Sequence, residues 1–218
     1  DEKAAKSSLE CLNEEQKRAV EAVAMDMWPA YQKAVREELR QACIVHDKFH
    51  IAKYLNEAVD TVRKQEHRKL MAEGDERLKG SKYQWLRNHP DLRAVPNFQE
   101  LYNQSLKTSR AWRLKESFAG FWNYKSVGAA KNFFFDWKKA AMRSRLQPIK
   151  KVANMLFRQL PNIINYITYP ITNALSEGLN STIQLLISNA RGLPSFDSLR
   201  TRVLFFCGKL DMRPEFVW

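Results

Sequence analysis

Three carboxylates in this sequence are placed where they could hold a divalent cation. Asp26 ends the apolar run VEAVAMD, Asp47 ends the apolar run ACIVHD, and Glu177 lies in the later segment ALSEGLN. Carboxylate oxygens suit magnesium, and two such ions about 4 Å apart can promote phosphoryl transfer. Each residue also has an ordinary explanation, because an Asp after a strand often caps the next helix and a helical Glu is usually solvated. The residue types alone leave both interpretations open.

The stretch HDKFH at 46–50 suggests a different metal. It resembles the HExxH motif of zinc proteases with Asp47 in place of Glu, so that His46 and His50 would bind zinc from consecutive turns of one helix. His46 directly follows the apolar run ACIV, however, and we predict that it ends a strand. A zinc hydrolase that uses His46 and His50 is therefore the less favoured alternative, beside a purely structural role for both residues.

The flanking sequence predicts how Asp26 and Asp47 are positioned. Residues 20–26 and 42–47 are short and rich in small or β-branched apolar residues, which predicts two buried strands. The segment WPAYQKAVREEL between them predicts a helix with proline in its first turn. Strand, helix and strand with short connections imply a parallel crossover. Because ligands bind at the carboxyl ends of parallel strands, Asp26 and Asp47 should emerge side by side at one edge of the sheet.

The rest of the chain predicts mostly helix. Apolar residues recur with helical spacing from Phe49 to Glu73, before a turn-rich stretch. Gly178 lies inside the predicted helix around Glu177 at a cost of about 1 kcal/mol relative to Ala, which suggests close approach of another backbone or a ligand. The remaining predicted helices cover residues 7–20, 98–118, 130–145 and 148–166.

Charge is unevenly distributed along the 218 residues, whose formal net charge is +12. Residues 1–60 hold 9 Lys and Arg against 12 Asp and Glu, whereas residues 61–158 hold 22 against 8. A basic region beside a slightly acidic one suggests a polyanion-binding surface next to a carboxylate site. Solvated helix faces over a tryptophan-containing core are the alternative. The tryptophans of the basic region are Trp85, Trp112, Trp122 and Trp137.

Composition argues against several classes of protein. Cys11, Cys43 and Cys207 are odd in number and far apart, which argues against a disulfide framework and a thiolate zinc site and fits a reducing compartment. No apolar run reaches the ~18 residues that a membrane span requires. No signal peptide is visible, and a chain that begins with Asp is expected to be a segment of a longer one.

Seven segments of the chain resemble, in order, bacterial insertion-sequence transposases of the ISL branch, which are DDE transposases with an RNase H-like catalytic domain. Single segments are weakly specific, but seven in order over nearly the whole chain are highly specific. The segments are AVAMDMWPAY, IVHDKFHIAKYLNEAVDTVRKQEHRKL, LKGSKYQWL, RAWRLKESF, ITNALSEGLNSTIQLL, NARG and RVLFFCGKLDM.

The resemblance implies an α/β fold with a large α-helical insertion, mostly helical overall. It would be a partial RNase H-like fold that lacks its first three strands. Residues 1–50 would form the partial RNase H-like core, as helix, strand, helix and strand. Residues 51–170 would form a basic helical insertion domain. Residues 171–218 would form the C-terminal helical part of the core, which carries the catalytic Glu.

The resemblance also implies roles for individual residues. Asp26 in MDMW corresponds to the second catalytic aspartate and Glu177 in SEGLN to the catalytic glutamate. Together they would hold Mg²⁺ (or Mn²⁺), with two ions in the intact enzyme. Asp47 and His50 correspond to a D-x-x-H signature that would position the site or contact DNA. The expected DNA-binding residues are Lys64, Arg68, Lys69, Lys79, Lys82, Arg110, Arg113, Lys138, Lys139, Arg143 and Arg191.

The implied function is metal-dependent DNA strand cleavage and transfer at transposon ends by a polynucleotidyl transferase. The expected partners are transposon-end and target DNA and further copies of the protein on DNA, in the bacterial cytoplasm and associated with the nucleoid. The first catalytic Asp belongs on an earlier strand, and Asp1 lies only 25 residues before Asp26, which leaves too few residues for three strands. We therefore expect an N-terminally truncated chain that binds DNA without cleaving it. A catalytically dead DNA-binding fragment is the alternative.

Overall fold

The computed structural model describes residues 2–88, 98–104, 106–190 and 192–208. Over these ranges the chain is mostly helical and contains a two-stranded parallel sheet. Its internal contacts divide it into two compact units, Asp1–Thr172 and Asn173–Trp218. The helix-rich composition and the small parallel sheet agree with the prediction.

Two helices precede the sheet where one was predicted. Helix α1 (Glu2–Glu10) and helix α2 (Glu14–Ala19) are separated by a break that ends at Asn13. The Asn13 side chain accepts a hydrogen bond from the Gln16 backbone amide, and the Gln16 side chain accepts one from the Asn13 amide. This capping box satisfies amides that a helix N-terminus leaves without an intrahelical partner. The prediction of a single helix over residues 7–20 was wrong, because the capping box at Asn13 starts a second helix inside that range.

The predicted parallel crossover is confirmed. Strand β1 (Ala22–Met25) pairs in parallel with strand β2 (Cys43–His46), and Met25 lies opposite His46. Helix α3 (Pro29–Glu38) joins them and begins with proline, whose fixed φ and missing amide suit the first helical position. Asp26 and Asp47 therefore follow the carboxyl ends of neighbouring strands. A small buried cluster lies among these elements and consists of Met25, Val35, Leu39 and Ile44.

The larger core of the first unit is helical. Its buried residues run from Ile51 to Ile164 in one cluster. The predicted helices at 98–118 and 148–166 are each split in two. The second is split between Arg158 and Leu160, and Pro161 lies in the first turn of the helix that follows. The helices are α4 (Lys48–Ala72), α5 (Lys82–Leu86), α6 (Phe98–Asn103), α7 (Lys107–Ala119), α8 (Val127–Arg143), α9 (Gln147–Arg158) and α10 (Leu160–Ile164), with short 3₁₀ turns at Gly120–Asn123 and Asn165–Ile167.

The tryptophans of the basic region belong to this core. Trp85, Trp112 and Trp137 are each at most 4% exposed, and Trp122 packs against the same cluster. The three buried rings therefore fit the alternative interpretation, a tryptophan-containing core. Each buried indole donates a hydrogen bond to a neighbouring oxygen: Trp85 to Ser81 Oγ at 3.2 Å, Trp112 to the Arg87 carbonyl at 3.2 Å and Trp137 to the Leu114 carbonyl at 2.8 Å.

The second unit contains helix α11 (Ala174–Asn189) and helix α12 (Phe196–Cys207). The helix predicted around Glu177 is confirmed, whereas α12 was not predicted. No described residue of either helix is buried. A Cβ placed on Gly178 would meet no described atom within 4 Å, so the expected close approach at this glycine is not found. Among the described residues, no helix is both long and apolar enough to cross a membrane.

Candidate active site at the sheet edge

Asp26 and His50 lie in contact at the carboxyl end of β1. Asp26 directly follows the strand, and His50 is the third residue of α4. His50 Nδ1 lies 2.8 Å from Asp26 Oδ1. The contact is an ion pair when the imidazole is protonated. The Asp26 side chain is 41% exposed.

Asp47 has a different environment although it ends the neighbouring strand. It is fully buried and caps α4, where its Oδ1 accepts a hydrogen bond at 2.9 Å from the backbone amide of Phe49. Its own amide donates to the Met25 carbonyl at 3.1 Å, which extends the ladder between the strands. Asp47 thus fixes where α4 begins, and the first turn of α4 carries His50 to Asp26. The helix-capping interpretation accounts for these Asp47 contacts, and Asp26 is the accessible carboxylate of the two.

His46 is a buried residue of β2 whose two ring nitrogens face protein groups. Its Nε2 lies 3.1 Å from Gln159 Oε1 and 3.3 Å from Asn162 Nδ2, and its Nδ1 lies 3.5 Å from the Met25 carbonyl oxygen. Because His46 is on a strand and His50 is on the following helix, the two do not share a helix face. The geometry required by the HExxH hypothesis is therefore absent at these residues.

We expect His46 to make the fold acid-sensitive. Burial lowers the pKa of His46 below its ordinary value of 6.5, although hydrogen bonds with Gln159 and the Met25 carbonyl partly oppose the shift. The unfolded chain then binds more protons than the folded one below about pH 6.5, so the free energy of unfolding decreases as the pH falls through that range.

Urea unfolding midpoints measured between about pH 7 and pH 5 test this expectation. His46→Gln should flatten the pH dependence of the unfolding midpoint. A pH dependence that survives in His46→Gln would assign the effect to other groups.

Polar residues of the segment after α9 contact the strand and helix that carry the site. Asn165 Nδ2 donates to the Ile44 carbonyl at 2.9 Å, and Lys48 Nζ donates to the Tyr166 hydroxyl at 3.3 Å. Together with Gln159 and Asn162, these residues fix β2 and the start of α4. Sequence reasoning missed them. The sequence feature that could have indicated them is the recurrence of polar residues every three or four positions in the apolar stretch QLPNIINYI.

Glu177 lies in the first turn of α11, where its side chain is exposed. Its backbone amide donates to the Asn173 carbonyl at 2.9 Å, so it belongs to the regular start of the helix. An acidic residue near a helix N-terminus is electrostatically favourable in its own right.

Apart from Arg191, the predicted DNA-binding residues lie in the first unit, on several helices and, for Lys79, in a turn. Some already have partners: Lys64 lies 2.9 Å from Asp60 and Lys79 lies 2.9 Å from Glu76. Lys82, Arg113 and Lys138 lie over the rings of Tyr83, Tyr102 and Phe157, respectively. Arg191 lies outside the described residues. The exposed members of the set on α4, α7 and α8 include Arg68, Lys69, Arg110, Lys139 and Arg143.

Comparison with known proteins identifies the family. The ISL3 family model of DDE transposases, described as a transposase, matches residues 1–203. The chain is also 28% identical over 178 residues to the transposase for insertion sequence element IS1001 of Bordetella parapertussis; the match covers 79% of this chain and 44% of that protein. The chain thus spans less than half the length of this curated relative. No solved structure matches the chain. The family match over nearly its whole length shows that the chain belongs to the ISL3 family of DDE transposases.

Proposed function

We propose that this chain is the catalytic portion of a DNA transposase that cleaves and transfers strands at transposon ends. Residues 1–50 and 171–218 would contribute to an RNase H-like core, and residues 51–170 would form a basic helical insertion domain. The parallel β1–α3–β2 crossover and membership of the DDE transposase family support this division.

The observation that carries the proposal is the accessible Asp26 carboxylate at the carboxyl end of β1, in contact with His50. Its hard oxygen atoms and partial exposure fit a divalent metal ion, and parallel strands commonly present ligands at this edge. Asp26 and Glu177 would hold Mg²⁺ or Mn²⁺, which when bound supplies activation of the attacking hydroxyl and stabilisation of the leaving oxygen in phosphodiester cleavage.

The other site residues would act on Asp26 rather than on the DNA. Asp47 fixes the start of α4 through the Phe49 amide, and His50 contacts the Asp26 carboxylate from the first turn of that helix. His50 would therefore orient the carboxylate, and Asp47 would position His50. Both are positioning residues in this proposal, because neither needs to touch the reacting atoms.

DNA would be the partner of the first unit. Residues 61–158 carry a net charge of +14, from 22 basic and 8 acidic residues, and much of this charge lies on exposed helix faces. Lysine and arginine side chains bind duplex DNA mainly through its phosphates. Copies of the protein would assemble on DNA to bring transposon ends together.

The test uses the 218-residue chain and an extended chain, meaning one that contains these residues within the full length of the family. Each is incubated with Mg²⁺ and a labelled duplex that carries the terminal sequence of the element. The proposal assigns only two metal-binding carboxylates to the 218-residue chain, so we expect it to bind the duplex without cleaving it. The extended chain should bind and cleave.

The possible outcomes separate the alternatives. Metal-dependent nicking by the 218-residue chain alone would show that the carboxylate assignment is incomplete. Binding without cleavage by the extended chain would favour a catalytically dead DNA-binding protein. Failure of both chains to bind the duplex would contradict the proposed function.

A further inference from the structure

A basic cleft of about 460 Å³ lies in the first unit, away from the sheet edge. It is formed by the second half of α4, the start of α7 and the turn that joins α8 to α9. Four exposed cationic side chains line it: Lys69, Lys107, Arg110 and Arg145. Two of these, Lys107 and Arg145, are not among the DNA-binding residues expected from the sequence.

Among the described residues, the acidic residue that lines the basic cleft bonds to backbone amides and a hydroxyl rather than to these cations. The Glu66 carboxylate accepts hydrogen bonds from the Lys107 amide at 2.8 Å, the Thr108 amide at 2.7 Å and the Thr108 hydroxyl at 2.6 Å. Glu66 therefore caps the N-terminus of α7, where a negative charge is favourable. Within the described ranges, none of the four cations lies within 4.0 Å of a carboxylate oxygen.

Arg145 occupies a backbone conformation that usually belongs to glycine. Its φ is 61°, directly after Ser144 ends α8. Glycine is the common residue at this left-handed position after a helix, because other residues are strained there. The turn is stabilised locally, since Ser144 Oγ donates to the Ala141 carbonyl and accepts from the Leu146 amide. An arginine in this position places a charged side chain on the rim of the cleft in spite of the strain, and such strain is concentrated at functional sites.

The lining favours phosphate over a nucleotide base. The uncharged lining residues are Val62, Gln65, Leu146, Gln147 and Pro148, so the described lining contains no aromatic ring on which a base could stack. The cleft also includes the start of α9, whose first turn has no acidic residue and adds partial positive charge. Backbone contacts of this kind hold DNA in register without reading its sequence.

We propose that the basic cleft binds backbone phosphates of duplex DNA, with Lys107 and Arg145 as contacts beside Lys69 and Arg110. This assignment rests on the proposed function, because it takes DNA as the partner. It adds a defined, sequence-independent contact site to the basic region of the first unit.

The test compares duplex binding by the 218-residue chain and two matched double variants. Lys107→Gln with Arg145→Gly removes two charges from the cleft. Lys125→Gln with Lys131→Gln removes two charges from exposed lysines that do not line it. Fluorescence anisotropy with a labelled duplex gives the affinity at salt concentrations between about 50 and 200 mM.

We expect the cleft variant to bind the duplex about tenfold more weakly. The slope of log affinity against log salt concentration should become shallower by about 0.9 for each phosphate that the variant no longer neutralises. The control variant should change much less. Equal reductions in affinity in the two variants would mean that only net charge matters, and this would overturn the proposal that the cleft binds phosphates. No binding by the unmodified chain would overturn both the proposal for the cleft and the proposed function in DNA binding. Normal binding by the cleft variant would overturn the proposal for the cleft and leave the proposed function standing.

Folding and ligand class are checked separately. Arg145→Gly should keep or raise the melting temperature, because glycine relieves the left-handed backbone, so weaker binding would not reflect unfolding. If the melting temperature falls, Lys69→Gln with Lys107→Gln tests the cleft with the turn unchanged. Tighter binding of duplex RNA than of duplex DNA would overturn the DNA assignment. Binding of inorganic phosphate in the cleft by a chain that does not bind DNA would have the same consequence.

Discussion

Asp26→Asn should reduce metal-dependent DNA cleavage by the extended chain by about a thousandfold or more, with little change in DNA affinity. Asparagine keeps the shape of the side chain and can still approach His50, but it lacks the negative charge that a hard cation requires. The lysines and arginines that we propose bind DNA lie on other elements, so binding should persist. Strand nicking of an end-labelled duplex and its dissociation constant, measured on the same preparations, give the two quantities.

Glu21→Gln is the matched control for this change. Glu21 is an exposed carboxylate next to the opposite end of β1, so the substitution removes the same charge from the same strand without touching the site. It should leave the cleavage rate unchanged. If Asp26→Asn cleaves as well as the unmodified extended chain, or if Glu21→Gln is equally impaired, Asp26 is not a metal ligand.

The arrangement of the sheet edge could be predicted from the sequence only in part. Two short apolar runs, each ending in Asp and joined by a helix that starts with proline, are enough to predict a parallel crossover, and the register of β1 and β2 confirms it. The same pattern cannot tell which aspartate caps a helix and which remains accessible, because both functions use a carboxylate after a strand. The burial of Asp47 and its bond to the Phe49 amide distinguish them.

Contacts between residues far apart in the sequence could not be predicted from the local sequence pattern. His46 contacts Gln159, 113 residues later, and nothing in the spacing around His46 specifies that partner. Helix breaks at Asn13 and near Pro161 depend on single residues inside otherwise periodic stretches. Composition gave the charge of the basic region correctly, but it could not decide whether the tryptophans face solvent or core, because amphipathic helices carry both faces in one sequence.

Trp137→Ala should decrease the free energy of unfolding of the chain by about 3–5 kcal/mol. The Trp137 ring is 4% exposed, its centroid lies 4.7 Å from that of Phe118 and 6.0 Å from that of Phe134, and its indole nitrogen donates to the Leu114 carbonyl at 2.8 Å. Truncation would leave a cavity, remove the edge-to-face contact with Phe118 and leave the Leu114 carbonyl without this donor.

Urea unfolding followed by circular dichroism measures the effect, with Trp28→Ala as the control. Trp28 is 61% exposed, so its truncation should change the free energy of unfolding by less than about 0.5 kcal/mol. The pair also decides between the two interpretations of the basic region. If Trp137→Ala left stability unchanged and weakened DNA binding, Trp137 would act as a stacking residue and the core assignment would be wrong. Because a buried indole cannot reach a base without opening the helical core, we expect the decrease in stability instead.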